Sequence, residues 1–251
     1  MCAMADIRAE NLTLRLDDAI LVEGASAAFQ PGTLTAIIGP NGAGKTSLVR
    51  MLAGLAKPTS GRAVLDNRDV FSFSGSDRAR RIGYLPQEQS VAWPMRVRDV
   101  VALGRYAYGA SPERLSAADS AAVDAAMTSS GCAHLADRIF PSLSGGEAAR
   151  VHLARTLAGE TPVILADEPI SALDPRHQRD TLAVLRDRAR AGAVVVIILH
   201  DLQLAAHYAD RIVWMQSGQI VADGTPAETM TADRLEQVFA LTADEVERLV
   251  H

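Results

Sequence analysis

Nine consecutive residues, Gly39-Pro40-Asn41-Gly42-Ala43-Gly44-Lys45-Thr46-Ser47, fit the spacing G-x-x-x-x-G-K-[ST]. Glycines in such a loop let the backbone turn tightly and approach a polyphosphate with no Cβ in the way. Successive N–H groups then form an anion-binding concavity, and a helix starting at the end of the loop adds partial positive charge. In this arrangement Lys45 reaches the β- and γ-phosphates and the Thr46 hydroxyl ligates Mg²⁺. The ligand predicted is a nucleoside triphosphate.

Three further stretches carry chemistry. Asp167-Glu168 follows an apolar run, Val163 to Ala166. At the carboxyl end of a core strand, Asp167 would hold Mg²⁺ and Glu168 would orient or deprotonate a water. An acidic helix cap at a strand-to-loop junction is the plain alternative. His200 follows a second apolar run, Ala193 to Leu199, which favours a phosphate contact over a packed core imidazole. Leu143-Ser144-Gly145-Gly146-Glu147 opens a helix to about Ala158. Ser144 and Glu147 make a capping box. Two glycines in a first turn disfavour helix, yet they leave N–H groups bare for an anion. One chain already has a phosphate loop, so a second anion site points to another molecule's nucleotide. Cys132 and His134 lack an acidic partner for a metal. His134, His152 and His177 read as structural or solvated, and His207 as surface or packing.

The elements that must hold these residues follow from periodicity. Thr33 to Ile38 reads as a buried strand entering the loop and Ser47 to Gly54 as the helix leaving it. Ile7 to Leu16 and Ile20 to Phe29 read as an antiparallel pair turning at Asp17-Asp18. Arg62 to Leu65 is a short strand, Ser72 to Ser76 a surface loop, and Arg81 to Gln87 a strand stopping at Pro86. From about Val97 to Ala158 the pattern is helical, broken at Gly109 to Pro112, Gly131 and Pro141. Asp174, Pro175 and Gly192 mark one helix from cap to stop. Arg211 to Gln216 and Gln219 to Ala222 flank the two-residue turn Ser217-Gly218. Thr225-Pro226-Ala227-Glu228 caps a terminal helical segment. The alternation predicts an α/β core.

The 251 residues are 48% hydrophobic with net charge −5. Without a stripe of Lys or Arg, nucleic acid is not an expected partner. Cys2 and Cys132 form no framework and suit a reducing compartment. Met1 to Asp6 lacks the pattern of a signal peptide, and the longest aliphatic run is too short to span a bilayer.

Taken together and in order, these motifs resemble those of the ATP-binding cassette (ABC) ATPases. The Walker A loop is Gly39 to Ser47, the Q-loop glutamine Gln87, the signature Leu143 to Glu147, Walker B Val163 to Asp167 with Glu168, the D-loop Ser171 to Asp174, and the switch histidine His200. The resemblance implies an α/β phosphate-loop core with a mostly parallel central sheet, an N-terminal antiparallel β subdomain and an inserted helical subdomain. Residues 1–86 and 160–251 would form the core with the β lobe, and 87–159 the helical lobe. It implies a head-to-tail homodimer with each ATP between Walker A of one chain and Ser144, Gly145 and Gly146, followed by Glu147, of the other. Glu168 would be catalytic base, His200 γ-phosphate sensor, and Thr46, Gln87 and Asp167 the groups serving Mg²⁺.

With one cassette and no span, the chain resembles a separate importer subunit. It would sit peripherally on the cytoplasmic side of the inner membrane against permease subunits, with a periplasmic binding protein beyond. Trp93 to Tyr106 and the tail from Gly224 resemble ATPases serving ferric-siderophore, haem and vitamin B12 importers. The alternatives are another cargo (metal ion, phospholipid or export), a soluble mechanical ABC ATPase, and a phosphate-loop kinase. The last would not need Ser144-Gly145-Gly146. In two respects the chain departs from the family pattern: the position expected to stack an aromatic residue on adenine falls at Leu16 or its neighbour, with no aromatic before Phe29, and Ile170 follows Glu168-Pro169 where Thr or Val is more usual.

Overall fold

The computed structural model describes residues 6–87, 93–112 and 114–239. Cys2 and the leader reading of Met1 to Ala5 lie outside them, as do residues 88–92 and 113 of the expected helical lobe.

The chain opens with an antiparallel pair, β1 (Ile7–Leu16) and β2 (Ala19–Phe29), turning where Asp17 takes a φ of 52°. Strand β3 (Leu34–Ile38) enters the glycine loop and α1 (Lys45–Leu52) leaves it. Strands β4 (Ser60–Leu65) and β5 (Arg68–Asp69) complete a four-stranded sheet in the order β2-β1-β4-β5. The stretch expected as a surface loop, Ser72 to Ser76, is instead a short 3-10 turn, Val70–Ser72, followed by helix α2 (Gly75–Ala79). Ser74 caps that helix by accepting from Asp77 N. The Ser/Gly composition hid the cap signal Ser74-x-x-Asp77.

Strand β6 (Ile82–Leu85) leads to helices α3 (Val97–Ala102), α4 (Ala117–Ser129) and α5 (Gly145–Ala158). Then come β7 (Val163–Ala166), α6 (Pro175–Arg190), β8 (Val194–Ile198), α7 (Leu202–Tyr208), and the hairpin β9 (Arg211–Gln216) and β10 (Gln219–Gly224). After the Thr225 capping box, α8 (Pro226–Thr229) is one turn long, and α9 (Ala232–Phe239) resumes beyond Met230. Proline at the first turn of α6 and α8 fits because its missing N–H would be unpaired there anyway.

A second, six-stranded sheet has the order β10-β9-β3-β8-β7-β6, parallel except for the β9–β10 hairpin. Its buried strands divide by pleat. Ile37, Val194, Val196, Ile198 and Val213 face β1, β2 and α1, while Ala36, Ile38, Val195, Ile197 and Ile212 face the helices α3 to α6. Each face is thus covered, as near-continuous Val/Ile/Leu strands require.

A buried cation ties pieces of the helical part together. Arg105, 7% exposed, donates to Asp119 Oδ1 over 2.8 Å, to the Ala158 carbonyl over 3.1 Å and to Glu160 Oε2 over 2.9 Å, with its guanidinium 3.9 Å above the Tyr108 ring. A buried charge persists only when paired in this way.

Candidate nucleotide site

Parallel strands deliver the chemistry to one edge. Strands β3, β8, β7 and β6 are consecutive neighbours, so the loop after β3, His200 after β8, Asp167-Glu168 after β7 and Gln87 after β6 emerge in a row along the carboxyl edge of the sheet. The strand spacing of about 4.8 Å puts such groups within reach of one another.

The loop is held against two backbones. Gly39 has a φ of 152°, and a Cβ there would lie 2.0 Å from the Met215 carbonyl oxygen. Gly44 has a φ of 93°, and its Cβ would meet the Leu21 carbonyl oxygen at 2.3 Å. Glycine is therefore required at both for the loop to nest between β2 and β9. Lys45 is 6% exposed, and its ammonium donates to the carbonyls of Gly39 (2.8 Å) and Pro40 (2.9 Å). Burial lowers its pKa, and the nearby Glu168 and Asp167 carboxylates partly oppose that. Leu21, Asn41 to Ser47 and Glu168 together line a cleft of about 200 Å³.

Asp167 is 1% exposed. It accepts from the Thr46 hydroxyl at 3.0 Å and from the Tyr84 hydroxyl at 3.4 Å. Burial raises its pKa despite these bonds, with Glu168 adding to the rise. Tyr84 is pushed up to about 12 by burial first and then by Asp167. No cation is bonded to this carboxylate among the described residues. The Thr46 hydroxyl and the Asp167 carboxylate together offer oxygen donors of the kind a hard divalent cation takes.

Glu168 points elsewhere, as adjacent positions past a strand should. It adopts a left-handed φ of 50°, and its carbonyl accepts from Ser171 N and Oγ. Its carboxylate takes Gln87 Nε2 at 2.7 Å on one oxygen and His200 Nε2 at 2.6 Å on the other. The group can take a proton from a water while its two neighbours hold its orientation.

The signature residues are brought near but not into the phosphate cleft. Gly145 shares a second cleft, of about 180 Å³, with Gln87 and Glu168. Ser144 Oγ accepts from Glu147 N at 3.3 Å while Glu147 Oε2 accepts from Ser144 N at 2.8 Å, completing the expected capping box. An added Cβ at Gly145 would meet nothing within 4 Å, so this helix start stands open.

Tyr84 and Leu21 were not singled out by motif. The signal for Tyr84 is its place in β6, directly beside β7 in parallel register. Of the histidines left aside, His152 is fully buried edge-on to Phe140 with neither ring nitrogen bonded, and its pKa is lowered to about 4 by burial. His177 caps back onto Asp174, and His207 packs edge-on against Tyr208. Cys132 is buried, which raises its thiol to about 11.

A phosphate loop, a buried carboxylate and, beside it, a carboxylate held by Gln87 and a strand-end histidine, set on this topology, are those of an ATP-hydrolysing cassette. The family model for the ABC transporter matches residues 22–171, and the chain belongs to that family. Among relatives, it is 46% identical over 84% of its length to the Hemin import ATP-binding protein HmuV of Nocardia farcinica, covering 73% of that protein. It is 42% identical over 94% of its length to the protein of the same name from Pseudomonas aeruginosa, covering 92% of it. Among solved structures, an inward-facing ABC transporter provisionally assigned to the metal-chelate type superimposes with a TM-score of 0.80 at 27% identity, over 94% of this chain and 90% of that one.

Proposed function

We propose that this chain is the ATP-hydrolysing subunit of an importer that takes up haem or a closely related iron chelate. The observation that carries the cargo class is the extent of likeness to hemin import subunits, which spans nearly the whole chain rather than the shared motifs alone. The exposed Trp93 and Tyr106 support the same reading, since large aromatics in water mark a docking surface. The helical portion within 87–159 is the lobe that meets the permease. No helix among the described residues is long and apolar enough to cross a membrane. The likeness to hemin import subunits supports a peripheral place on the cytoplasmic side, with cargo reaching the permease from a binding protein outside.

The residues divide the work as follows. The loop from Gly39 to Ser47 binds the phosphates, with Lys45 turning from the loop carbonyls to the β- and γ-phosphates. Thr46, Asp167 and Gln87 would hold Mg²⁺, which supplies charge neutralisation at the phosphates. Glu168 takes the proton of the attacking water, and His200 senses the γ-phosphate. Ser144, Gly145 and Gly146, open in one chain, close on the nucleotide of a second copy.

The test is to purify tagged Glu168→Gln protein from detergent-solubilised membranes of its own cells, with Mg-ATP present. A many-span permease co-purifying, and haem-dependent ATPase once that permease and its binding protein are reconstituted with wild-type subunit, is the expected result. A permease responding only to another cargo would remove the haem assignment.

A further inference from the structure

We infer that the cavity between α4, α5 and α6 is a second ligand site, which takes haem that has entered the cytoplasm and slows the ATPase in response. The inference rests on the haem-import reading above. The cavity has a volume of about 630 Å³ and shares no lining residue with either cleft at Glu168. Small-molecule and cofactor sites span about 300–1,000 Å³.

The lining suits an amphipathic anion with two acidic arms. Arg150 comes from α5, half-buried, with its Nε buried and unbonded. Arg176 comes from the first turn of α6. Neither guanidinium forms an ion pair among the described residues. Each can take one carboxylate through two parallel N–H bonds. Ser130, at the end of α4, is 5% exposed and its Oγ is unbonded. A buried hydroxyl left so is costly until a ligand satisfies it. Asp180 is the acid on the lining, so with neutral imidazoles two arginines less one aspartate leave one net positive charge. Ferric haem has two carboxylates and a surplus positive charge at iron, which leaves one net negative charge. Leu153 and Val184 supply apolar contact for the macrocycle.

The iron contact is His177. Its Nδ1 is bonded to Asp174 Oδ2, while Asp174 Oδ1 accepts from the N–H groups of Arg176 and His177. That leaves Nε2 for a ligand. Metal-bound imidazoles are nearly always oriented in this way, by a carboxylate on the other ring nitrogen. Among the described residues no group of three His, Cys, Asp or Glu could hold a bare ion. A porphyrin brings its own four nitrogens, so a single protein imidazole is enough.

Binding acts on turnover through helix spacing. Helix α5 starts at the glycines that close on a partner's nucleotide, and α6 starts directly after Asp174. A ligand gripped by Arg150 on one helix and by Arg176 and His177 on the other favours the spacing present in the single chain. Closure on ATP is thereby opposed.

The experiment titrates haemin into the full chain, following the Soret band, and measures ATPase of the assembled complex with and without haemin on the ATPase side. Wild type should bind one haemin per chain with the spectrum of imidazole-ligated iron, and lose ATPase about fivefold or more. His177→Ala should lose that spectrum, and Arg176→Glu should bind about tenfold more weakly. Both should keep their ATPase in haemin. Iron-free protoporphyrin should bind wild type and His177→Ala alike, through its carboxylates. Spectrum and affinity unchanged in both variants would overturn the inference, by showing haemin on other histidines. So would haem-dependent import ATPase with no saturable haemin site on this chain. A complex that answers only to another chelate, while haemin still binds through His177, would sink the import reading and leave the site standing.

Discussion

The Gln87 side-chain amide donates to the Glu168 carboxylate over 2.7 Å. Gln87 is the last described residue before the helical portion, two residues past β6, and Glu168 lies two residues past the neighbouring strand β7. The bond therefore ties the segment leading to the docking lobe to the proposed base itself. Gln87→Ala removes a donor and leaves Glu168 held by His200 alone. Stimulation of ATPase by the reconstituted permease should fall at least fivefold, with a smaller change in unstimulated turnover. Equal losses in both rates would make Gln87 a site residue without a coupling role.

Lys45→Ala deletes a buried ammonium that only the loop carbonyls and a polyphosphate can satisfy. Removing one partner of a charge-assisted contact costs about 2–5 kcal/mol, or at least about thirtyfold in affinity. Fluorescent-nucleotide titration checks this. Unchanged affinity would take the loop out of the account.

Trp93 is 72% exposed and lines neither cleft at Glu168. Trp93→Ala should leave the unstimulated ATPase rate unchanged and weaken association with the permease by about 2 kcal/mol, as loss of an aromatic anchor does. A lowered melting temperature with normal association would make Trp93 a packing residue instead.

His152 should make stability depend on pH. The unfolded chain takes up a proton there near the ordinary value of 6.5, and the native chain only near 4. Between these values the unfolded state binds more protons, so stability is full above about 6.5 and falls as pH drops toward 4. The loss reaches up to about 3 kcal/mol. His152→Leu should flatten that part of a urea-denaturation series. An unaltered slope would place the dependence elsewhere.

Gly104 sits where a Cβ would lie 2.1 Å from the Arg155 carbonyl oxygen. The clash is with backbone, which cannot rotate aside. Gly104→Ala should cost about 1–3 kcal/mol, read as a lower denaturation midpoint. A neutral substitution would show that the 3-10 turn Leu103–Tyr108 shifts freely against α5.

Much of this was legible in the sequence because local signals and global placement agree. The buried strands are continuous aliphatic runs, and the glycine loop carries its own geometry. The Asp174-Pro175 start of α6 and the boxes at Ser144 and Thr225 appear as read. What stayed hidden depends on neighbours distant in sequence. Tyr84 meets Asp167 only because β6 pairs with β7. Gly44 is required by a β2 carbonyl 23 residues earlier in the chain, at Leu21. Arg105 joins Asp119 to Glu160 across a whole helix. The helix α2 was hidden for a different reason: at five residues it has no periodicity to read, and only its Ser74 cap marks it.

The central claim is that two copies close around ATP, one giving the phosphate loop and the other its open Ser144-Gly145-Gly146 helix start. Light scattering on gel-filtered Glu168→Gln protein, with and without saturating Mg-ATP, tests it most directly. The account predicts a shift from the 26.7 kDa monomer to a species of twice that mass, lost again in a Ser144→Arg variant. A Glu168→Gln protein that binds Mg-ATP and stays monomeric, at concentrations well above those of the assembled transporter, would contradict it.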